Sequence, residues 1–355
     1  MDLSRRTLLA AMGALVLPAP VALAGGAPAF IAAHRRPDGR FDAAVLDGAG
    51  NVLFTEALDG RGHAAAVRGE PHTAVLFARR PGRFALVLDL TRQERTAVIM
   101  PPPDRAFAGH GVFTTDGTRL IATENDFDGE RGVLGIYDAT DGYRRLGECP
   151  THGIGPHEAL LLSDGRTIAV ANGGILTHPD FPRRKLNLAT MAPSLALIDA
   201  ETGDLKAIDR LPDEVHQLSI RHMVEAPDGA VWFGAQYEGP RRDRVPLVGT
   251  FARDRGLDLL SADPRETARM NQYVGSVGIS GDGETVVATG PRGGVYMDWQ
   301  AATRSLRGVH ALSDVAGAAP AAGGFAVTTG EGLFARSDGT ETQCSGAFDN
   351  HLIAL

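Results

Sequence analysis

The feature that most constrains the fold is a short segment that recurs along the chain, in which a turn signal separates two apolar runs. Asp-Gly occurs ten times. Between apolar runs this pair is a strong signal for a β-hairpin, because a type I′ turn needs positive φ at both central residues. Four of these turns lie in closely similar surroundings: His110-Gly-Val-Phe-Thr-Thr-Asp-Gly, His157-Glu-Ala-Leu-Leu-Leu-Ser-Asp-Gly, His222-Met-Val-Glu-Ala-Pro-Asp-Gly and Ser276-Val-Gly-Ile-Ser-Gly-Asp-Gly.

Each of these segments is followed by an alternating strand that ends in aspartate, such as Gly135-Ile-Tyr-Asp138, and then by a short closing strand. One repeat therefore contains four antiparallel strands, A to D, with no segment of helical period between them. The 331 residues after residue 24 (355 − 24), divided by seven, give about 47 residues per repeat, which is the spacing of propeller blades. A four-stranded unit cannot bury both faces alone, so its neighbours must stack around an axis. The sequence predicts an all-β, seven-bladed β-propeller with four-stranded antiparallel blades.

The two ends of the chain predict how the ring closes. The last residues, His351-Leu-Ile-Ala-Leu355, match the opening of an A strand, and Phe30-Ile-Ala-Ala matches a B strand. We therefore expect the C-terminal strand A to pair with N-terminal strands B to D, which leaves no free sheet edge. The seventh blade, over residues 315–344, is the most degenerate repeat.

The first 24 residues are typical of an export signal. Ser4-Arg5-Arg6-Thr7 is followed by an apolar run to Leu17, and Ala22-Leu23-Ala24 is a small-x-small cleavage site. We predict a twin-arginine signal peptide over residues 1–24, a periplasmic location and a propeller domain over 25–355; a generic secretory signal is the alternative. The fourth blade carries an insertion over residues 173–193, in which residues 184–189 are expected to form a helical turn.

Composition excludes several classes of protein. The net charge is −8, which argues against nucleic acid as a partner. After the signal no run of 18 apolar residues could span a bilayer. The two cysteines, Cys149 and Cys344, fall on distant blades and are expected to stay unpaired. We expect a monomer.

Five histidines fall at one equivalent position of the repeat, the start of strand A, at the mouth of the central channel. They lie on blades 1 to 5: His351, His63, His110, His157 and His222. Imidazole suits iron, copper and zinc, so the pattern predicts a site for a divalent metal whose identity the sequence leaves open. Because a seven-fold ring spreads its members apart, we expect three neighbours to share one ion and five not to.

The connections between strands B and C reach the same face and supply candidate ligand-binding or supporting groups. They are Glu124, Asn125, Asp126, Asn172, His178, Gln236, Tyr237 and Glu238. The carboxylates among them are expected to accept the second ring N–H of a metal-binding imidazole. The alternative is purely structural: each histidine hydrogen-bonds the backbone of a neighbouring blade, or was spread by duplication.

Several segments go beyond the generic repeat: Ala122-Thr-Glu-Asn-Asp126, Gly155-Pro-His-Glu158, Ala171-Asn-Gly-Gly-Ile175, Lys185-Leu-Asn-Leu188, Arg221-His222, Val231-Trp-Phe-Gly-Ala-Gln-Tyr-Glu-Gly239 and Phe348-Asp-Asn-His351. With them the chain resembles a family of twin-arginine-exported bacterial propellers that is described as a domain of unknown function. Members are commonly encoded beside imelysin-like iron-uptake proteins, so the resemblance implies a periplasmic accessory of iron or metal uptake, with an imelysin-like protein as partner.

Three hypotheses follow. The first is a metal-binding or metal-handling propeller with its site at the histidines. The second is an interaction module that docks a periplasmic partner without a metal. The third is a lactonase-like or other metal-dependent hydrolase at the same channel mouth, with Glu124 or Glu238 as general base.

Overall fold

The computed structural model describes residues 26–70, 72–79, 82–181 and 184–355. The predicted signal peptide, residues 1–24, lies outside the described residues. The rest forms seven sheets of four antiparallel strands each, which confirms the predicted seven-bladed β-propeller.

The strands of the first three blades follow the order predicted from the repeat. Blade 1 is completed from the far end of the chain by β28, and blades 2 and 3 are each formed from consecutive strands. The strands are β1 (Pro28–Arg35), β2 (Phe41–Asp47), β3 (Val52–Leu58), β4 (Gly62–Arg68), β5 (Thr73–Ala78), β6 (Ala85–Asp89), β7 (Glu94–Ile99), β8 (Arg105–Phe113), β9 (Arg119–Asp126), β10 (Arg131–Asp138) and β11 (Arg144–Pro150).

Blades 4 to 7 are also built from consecutive strands, and β28 follows them. They are β12 (Pro156–Leu161), β13 (Thr167–Asn172), β14 (Ser194–Asp199), β15 (Leu205–Arg210), β16 (Leu218–Glu225), β17 (Val231–Tyr237), β18 (Val248–Ala252), β19 (Gly256–Leu259), β20 (Ser276–Ile279), β21 (Thr285–Gly290), β22 (Val295–Gln300), β23 (Ser305–Ala311), β24 (Val315–Ala321), β25 (Gly324–Thr329), β26 (Leu333–Arg336), β27 (Glu341–Gln343) and β28 (Ala347–Ala354).

The inner strand of each blade packs against the inner strands of both neighbours. In order around the axis they are β28, β4, β8, β12, β16, β20 and β24, and β24 contacts β28 again. The ring closes as predicted, because β28 pairs antiparallel with β1, with Phe30 opposite Ala354 and Arg35 opposite Ala347. These seven strands line the channel, and five of them, β28, β4, β8, β12 and β16, carry the histidines.

Apolar side chains fill the spaces between blades. At the closure, Phe30, Phe334, Phe348 and Leu352 are all buried in one cluster that joins blade 7 to blade 1. The Phe30 and Phe334 rings lie 5.4 Å apart. The closing strand is thus held by packing as well as by its backbone ladder.

The expectation of no helical segment outside the insertion is wrong at two places among the described residues, and the first is a 3₁₀ turn at Asp213–Val215, between blades 4 and 5. The second is a short helix, α1 (Pro264–Arg269), which connects blades 5 and 6. The Asp263 side chain caps it by accepting the backbone N–H of Arg265 at 2.7 Å, and Pro264 takes the first position, where the missing N–H costs nothing. Local capping chemistry here forms a helix too short to show a periodic pattern.

The insertion of blade 4 contains one 3₁₀ turn at Leu188–Thr190, and so the predicted turn lies further along the chain than expected. Asn187 holds the loop by accepting the Leu176 N–H at 2.7 Å and donating to the Gly174 carbonyl at 2.8 Å. The loop is thereby fixed beside the channel. Cys149 and Cys344 are both free, and within the described part of the chain no helix has the length and apolar character to cross a membrane.

Replacing Phe348 by alanine should weaken the ring at its closure. Phe348 is 4% exposed, and truncation of a buried phenylalanine costs about 3–5 kcal/mol through lost transfer free energy and a residual cavity. Urea unfolding followed by the fluorescence of the buried Trp232 and Trp299 measures this loss. The matched control is Phe181→Ala, whose ring is 48% exposed and should change stability by less than about 1 kcal/mol. An equal loss of stability in the two variants would contradict the role of Phe348 in stabilising the closure of the ring.

Candidate metal centre

The five histidines of blades 1 to 5 converge inside the channel. The His110 ring lies at the middle of the group, with centroid distances of 4.9 Å to His63, 5.0 Å to His157, 5.7 Å to His222 and 4.8 Å to His351. His351 and His222 also meet, at 4.6 Å, although blades 6 and 7 lie between their blades on one side of the ring. The five imidazoles therefore form one cluster rather than an open ring, and we call them the imidazole cluster.

Bulges in the inner strands direct these side chains into the channel. In each of the five blades the inner strand loses register with its neighbour at or directly beside the histidine, and such a bulge turns a side chain out of the regular alternation. The shifts fall between Gly62 and Ala65, Phe107 and Gly111, Pro156 and Glu158, Ile220 and His222, and Phe348 and Leu352.

The predicted position at the start of strand A is right for two of the five histidines. His63 and His157 are the second residues of β4 and β12, whereas the other three lie at the fifth or sixth residue of their strands. Strands β8, β16 and β28 begin earlier because the residues before the bulge also pair with the neighbouring strand. The bulges, and not the starts of the strands, bring the five histidines to equivalent positions in space.

Gly109 shows how closely the cluster is packed. It lies in the bulge of β8 with φ of +111°, and a Cβ at this position would come within 2.4 Å of the His63 ring. Only glycine adopts this backbone conformation without strain and leaves the imidazole its space.

Two groups of three histidines bring ligand atoms within 4.8 Å of one another. One group, His63, His110 and His157, comes from consecutive blades, as expected. The other, His110, His222 and His351, spans the channel and was not predicted. His110 belongs to both groups.

Burial keeps these rings uncharged. His63, His110, His222 and His351 are each 3–5% exposed. Desolvation lowers the pKa of all five histidines, and for most of them the charges of neighbouring histidines and of Arg221 or Arg79 lower the pKa further. At neutral pH the rings are therefore neutral, which is the form that binds a metal ion.

Several buried ring nitrogens of the cluster have no hydrogen-bond partner among the described residues: His63 Nδ1, both nitrogens of His110, His157 Nε2 and His351 Nε2. A buried polar group without a partner costs about 1–3 kcal/mol. The purely structural alternative, in which each histidine is satisfied by the backbone of a neighbouring blade, does not account for these nitrogens.

Glu158 lies against two of the imidazoles. Its Oε2 is 3.1 Å from His222 Nδ1 and 3.7 Å from His110 Nε2, and burial raises the pKa of Glu158 to about 8. In the metal-free protein Glu158 is therefore largely protonated at neutral pH, and a nearby metal ion would favour its ionised form. A carboxylate that accepts the Nδ1–H of a histidine leaves Nε2 with its lone pair, the arrangement common behind metal-binding histidines.

Arg221 fixes the tautomer of His157. Its Nη1 lies 3.0 Å from His157 Nδ1. A guanidinium can only donate, so Nδ1 accepts and the proton of the neutral ring is on Nε2. His157 has no free lone pair in this arrangement. The group of His110, His222 and His351, with Glu158 behind it, is therefore better prepared for a metal than the group that contains His157.

Asp349 is the second carboxylate near the cluster. Its Oδ1 lies 4.0 Å from His63 Nδ1 and 3.0 Å from Arg79 Nη1, and Arg61 forms a further ion pair with it. Burial alone would raise the pKa of Asp349, but the His63 ring and the two guanidiniums hold it well below its usual range. Asp349 is therefore a fixed negative charge at the edge of the cluster.

The carboxylates predicted to support the imidazoles are engaged elsewhere. Glu124 is fully buried inside blade 3, where it accepts hydrogen bonds from Tyr137 and, at 2.8 Å, from Arg145. Asp126 pairs with Arg105 and Arg131, both at 2.8 Å. Their side chains lie within the sheet of blade 3, and so the expectation that they accept from a cluster histidine is corrected. The ion pairs of Glu124 also leave it poorly suited to act as a general base.

Three other predicted residues make contacts outside the imidazole cluster. Asn172 donates to the Thr151 carbonyl at 2.9 Å, and Tyr237 donates to Asp243 at 2.8 Å. His178 packs on Phe127, with ring centroids 5.8 Å apart.

The remaining predicted residues lie nearer the channel mouth. Gln236 lines a cavity of about 310 Å³ that is also lined by His63, His157 and His222. Glu238 pairs with Lys185, which lines the same cavity. Asn125 lines a small neighbouring cavity with His157.

Sequence reasoning missed Glu158, Arg221 and Asp349 as site residues. Each lies one or two positions from a cluster histidine, in Pro-His-Glu158, Arg221-His222 and Asp349-Asn-His351. Strict strand alternation would turn the residue next to an inward histidine away from the channel. The bulges change that alternation and bring these neighbours to the site.

Comparisons with known proteins agree with the fold. The family model "Protein of unknown function (DUF1513)" matches residues 56–355. Comparison with curated proteins gives no match. Among solved structures, hydrazine synthase of Kuenenia stuttgartiensis is similar at a TM-score of 0.63 and 14% identity, covering 89% of this chain and 95% of that one. The β-propeller domain of Cps50 (Swd1) of Myceliophteria thermophila is similar at a TM-score of 0.58 and 12% identity, with the same coverage. At these identities the similarity concerns the fold alone.

Acidification should destabilise the metal-free protein through the imidazole cluster. The lowered pKa values mean that unfolded histidines take up protons below about pH 6.5 while the folded cluster resists, so stability is present above that pH and is lost as the pH falls. The raised pKa of Glu158 has the opposite effect on the pH dependence of stability, but the five histidines outweigh this single group. Urea midpoints measured at pH 7.5, 6.5 and 5.5 should fall along this series, and the His110→Gln, His351→Gln double variant should lose less. An identical pH dependence of the two proteins would contradict this account.

Proposed function

We propose that this chain, which belongs to the DUF1513 family of proteins of unknown function, binds one divalent transition-metal ion in its channel. His110, His222 and His351 supply the ligands, and Glu158 orients His222. The observation that carries the proposal is a buried set of neutral imidazoles in which one ring nitrogen from each of three histidines lies within 4.8 Å of the others, while His110 has no hydrogen-bond partner among the described residues.

The donor set favours iron, copper or zinc. These ions accept imidazole nitrogen, whereas magnesium and calcium prefer sets of oxygen ligands. Cys149 and Cys344 belong to blades 3 and 7 and are not part of either histidine group, so a thiolate-rich site is not supported. A bound ion would give a partner to one ring nitrogen of His110, which has none among the described residues.

The biological setting is proposed from the sequence. The predicted twin-arginine signal supports a periplasmic protein, and the resemblance to propellers encoded beside imelysin-like proteins supports an accessory role in iron or metal uptake. Docking to an imelysin-like partner would not require the metal. A pull-down with the purified partner tests this docking separately.

Replacing His110 by alanine should abolish metal binding, because His110 belongs to both groups of three. Titration of the metal-free protein with Zn²⁺, Cu²⁺ and anaerobic Fe²⁺, followed by calorimetry and elemental analysis, should give one bound ion per chain for the wild type. We expect Glu158→Gln to weaken binding by about 10- to 100-fold, the usual effect of removing a carboxylate behind a metal-binding histidine. His178→Ala is the matched control and should bind like the wild type.

Two further variants identify which group holds the ion. His351→Ala removes a ligand of the proposed group alone, and His63→Ala removes a ligand of the other group alone. Strong loss in His351→Ala with retention in His63→Ala supports the proposal. Wild-type affinity and stoichiometry in His110→Ala would contradict metal binding at this cluster.

A further inference from the structure

We propose that the cavity above the imidazole cluster binds a small oxyanion that carries two or more carboxylate or phosphate groups. The cavity has a volume of about 310 Å³ and opens at the channel mouth. The inference goes beyond the metal site, because the basic groups that would hold the anion are not the proposed metal ligands, of which only His222 also lines the cavity.

Four basic side chains from different blades line this cavity. Arg79 follows β5 in blade 2, Lys185 lies on the insertion of blade 4, Arg221 lies on β16 of blade 5, and Arg292 lies between β21 and β22 of blade 6. The whole chain carries a net charge of −8. Convergence of four cations at one opening therefore runs against the overall charge of the protein, and a cleft lined by one sign of charge concentrates ions of the other sign.

Acidic partners compensate only some of these charges. Asp349 is shared by Arg61 and Arg79, and Glu238 pairs with Lys185. Arg292 has no carboxylate within 4.0 Å among the described residues, and its guanidinium lies 4.2 Å from the centre of the Tyr273 ring. Stacking holds the guanidinium in place while its N–H groups keep the capacity to bind an anion.

Neutral donors complete the lining. Asn350 donates from Nδ2 to the Tyr273 hydroxyl at 2.7 Å, which fixes both side chains at the mouth. His63, His157 and His222 of the imidazole cluster also line this cavity. The guanidinium, ammonium and amide groups of this lining all donate hydrogen bonds, which favours an acceptor ligand rather than a cation.

The number and type of basic groups indicate the class of ligand. A guanidinium matches the planar fork of a carboxylate or two oxygens of a phosphate. Cations arriving from several blades can contact more than one such group on the same molecule. The volume lies at the lower end of the range for small-molecule sites, which favours a compact anion over a peptide or a nucleotide chain.

Calorimetric titration of the metal-free full chain tests the proposal, with citrate and inorganic pyrophosphate as probes and glucose as the uncharged control. We expect saturable binding of at least one of the two anions, one per chain, that weakens as NaCl is raised. Binding of citrate alone supports a carboxylate ligand, and binding of pyrophosphate alone supports a phosphate ligand.

Arg292→Ala should weaken the bound probe tenfold or more, and Arg292→Lys should restore part of the affinity, because it keeps the charge but loses the planar fork. Arg92→Ala is the matched control, since Arg92 is exposed on the turn between β6 and β7, away from the cavity. Absence of binding by both probes, or equal binding by Arg292→Ala and the wild type, would overturn the proposal.

These variants distinguish a failure of the metal proposal from a failure of the anion proposal. His110 does not line the cavity, so loss of metal binding in His110→Ala with retained anion binding leaves the anion site intact. Arg292→Ala is expected to bind metal normally, because Arg292 is in neither group of histidines. Thermal unfolding of each variant shows that it is folded.

Discussion

The burial of five imidazoles at one point of the channel is the constraint on which the rest of the site depends. Each ring is polar, and a neutral ring needs both an acceptor and a donor partner to be fully satisfied. The protein supplies these partners only in part: Glu158 serves His222 and Arg221 serves His157, while His110 has no partner at either nitrogen among the described residues. As a purely structural feature such an arrangement lowers the stability of the fold, because apolar side chains of similar size would fill the same space without unsatisfied groups.

The two blades without histidine explain how five side chains can meet. Blade 7 places Gly317 at the bulge of β24, where a Cβ would come within 2.6 Å of the Leu352 nitrogen. Blade 6 begins its inner strand with the small Ser276. Because these blades contribute little volume to the channel, His351 and His222 approach each other across that side, at 4.6 Å. The expected separation around a seven-fold ring fails for this reason.

The periodic parts of the structure could be predicted from the sequence, and the non-periodic parts could not. The Asp-Gly turns and the four-strand repeat predicted the seven blades, and His351-Leu-Ile-Ala-Leu355 predicted the closure. The bulges insert residues that no alternation reveals, and a shift of one position turns a side chain to the opposite face. This is why Glu158, next to His157 in sequence, was overlooked. Glu124 was expected in a connection between strands B and C, but β9 runs on to Asp126, so Glu124 lies inside blade 3. The short helix α1 was missed because six residues carry too little pattern.

The basic mouth and the neutral cluster beneath it influence each other electrostatically. The charge of Arg221 lowers the pKa of His157 and His222, and that of Arg79 lowers the pKa of His351, so the guanidiniums help to keep the rings unprotonated and able to bind a metal. The same charges repel a bare divalent cation at the opening. An anion seated on the guanidiniums would remove this repulsion, because it neutralises the mouth while the imidazoles stay neutral. We therefore expect a bound anion to favour metal binding. By linkage, a bound metal ion would then favour anion binding by the same factor.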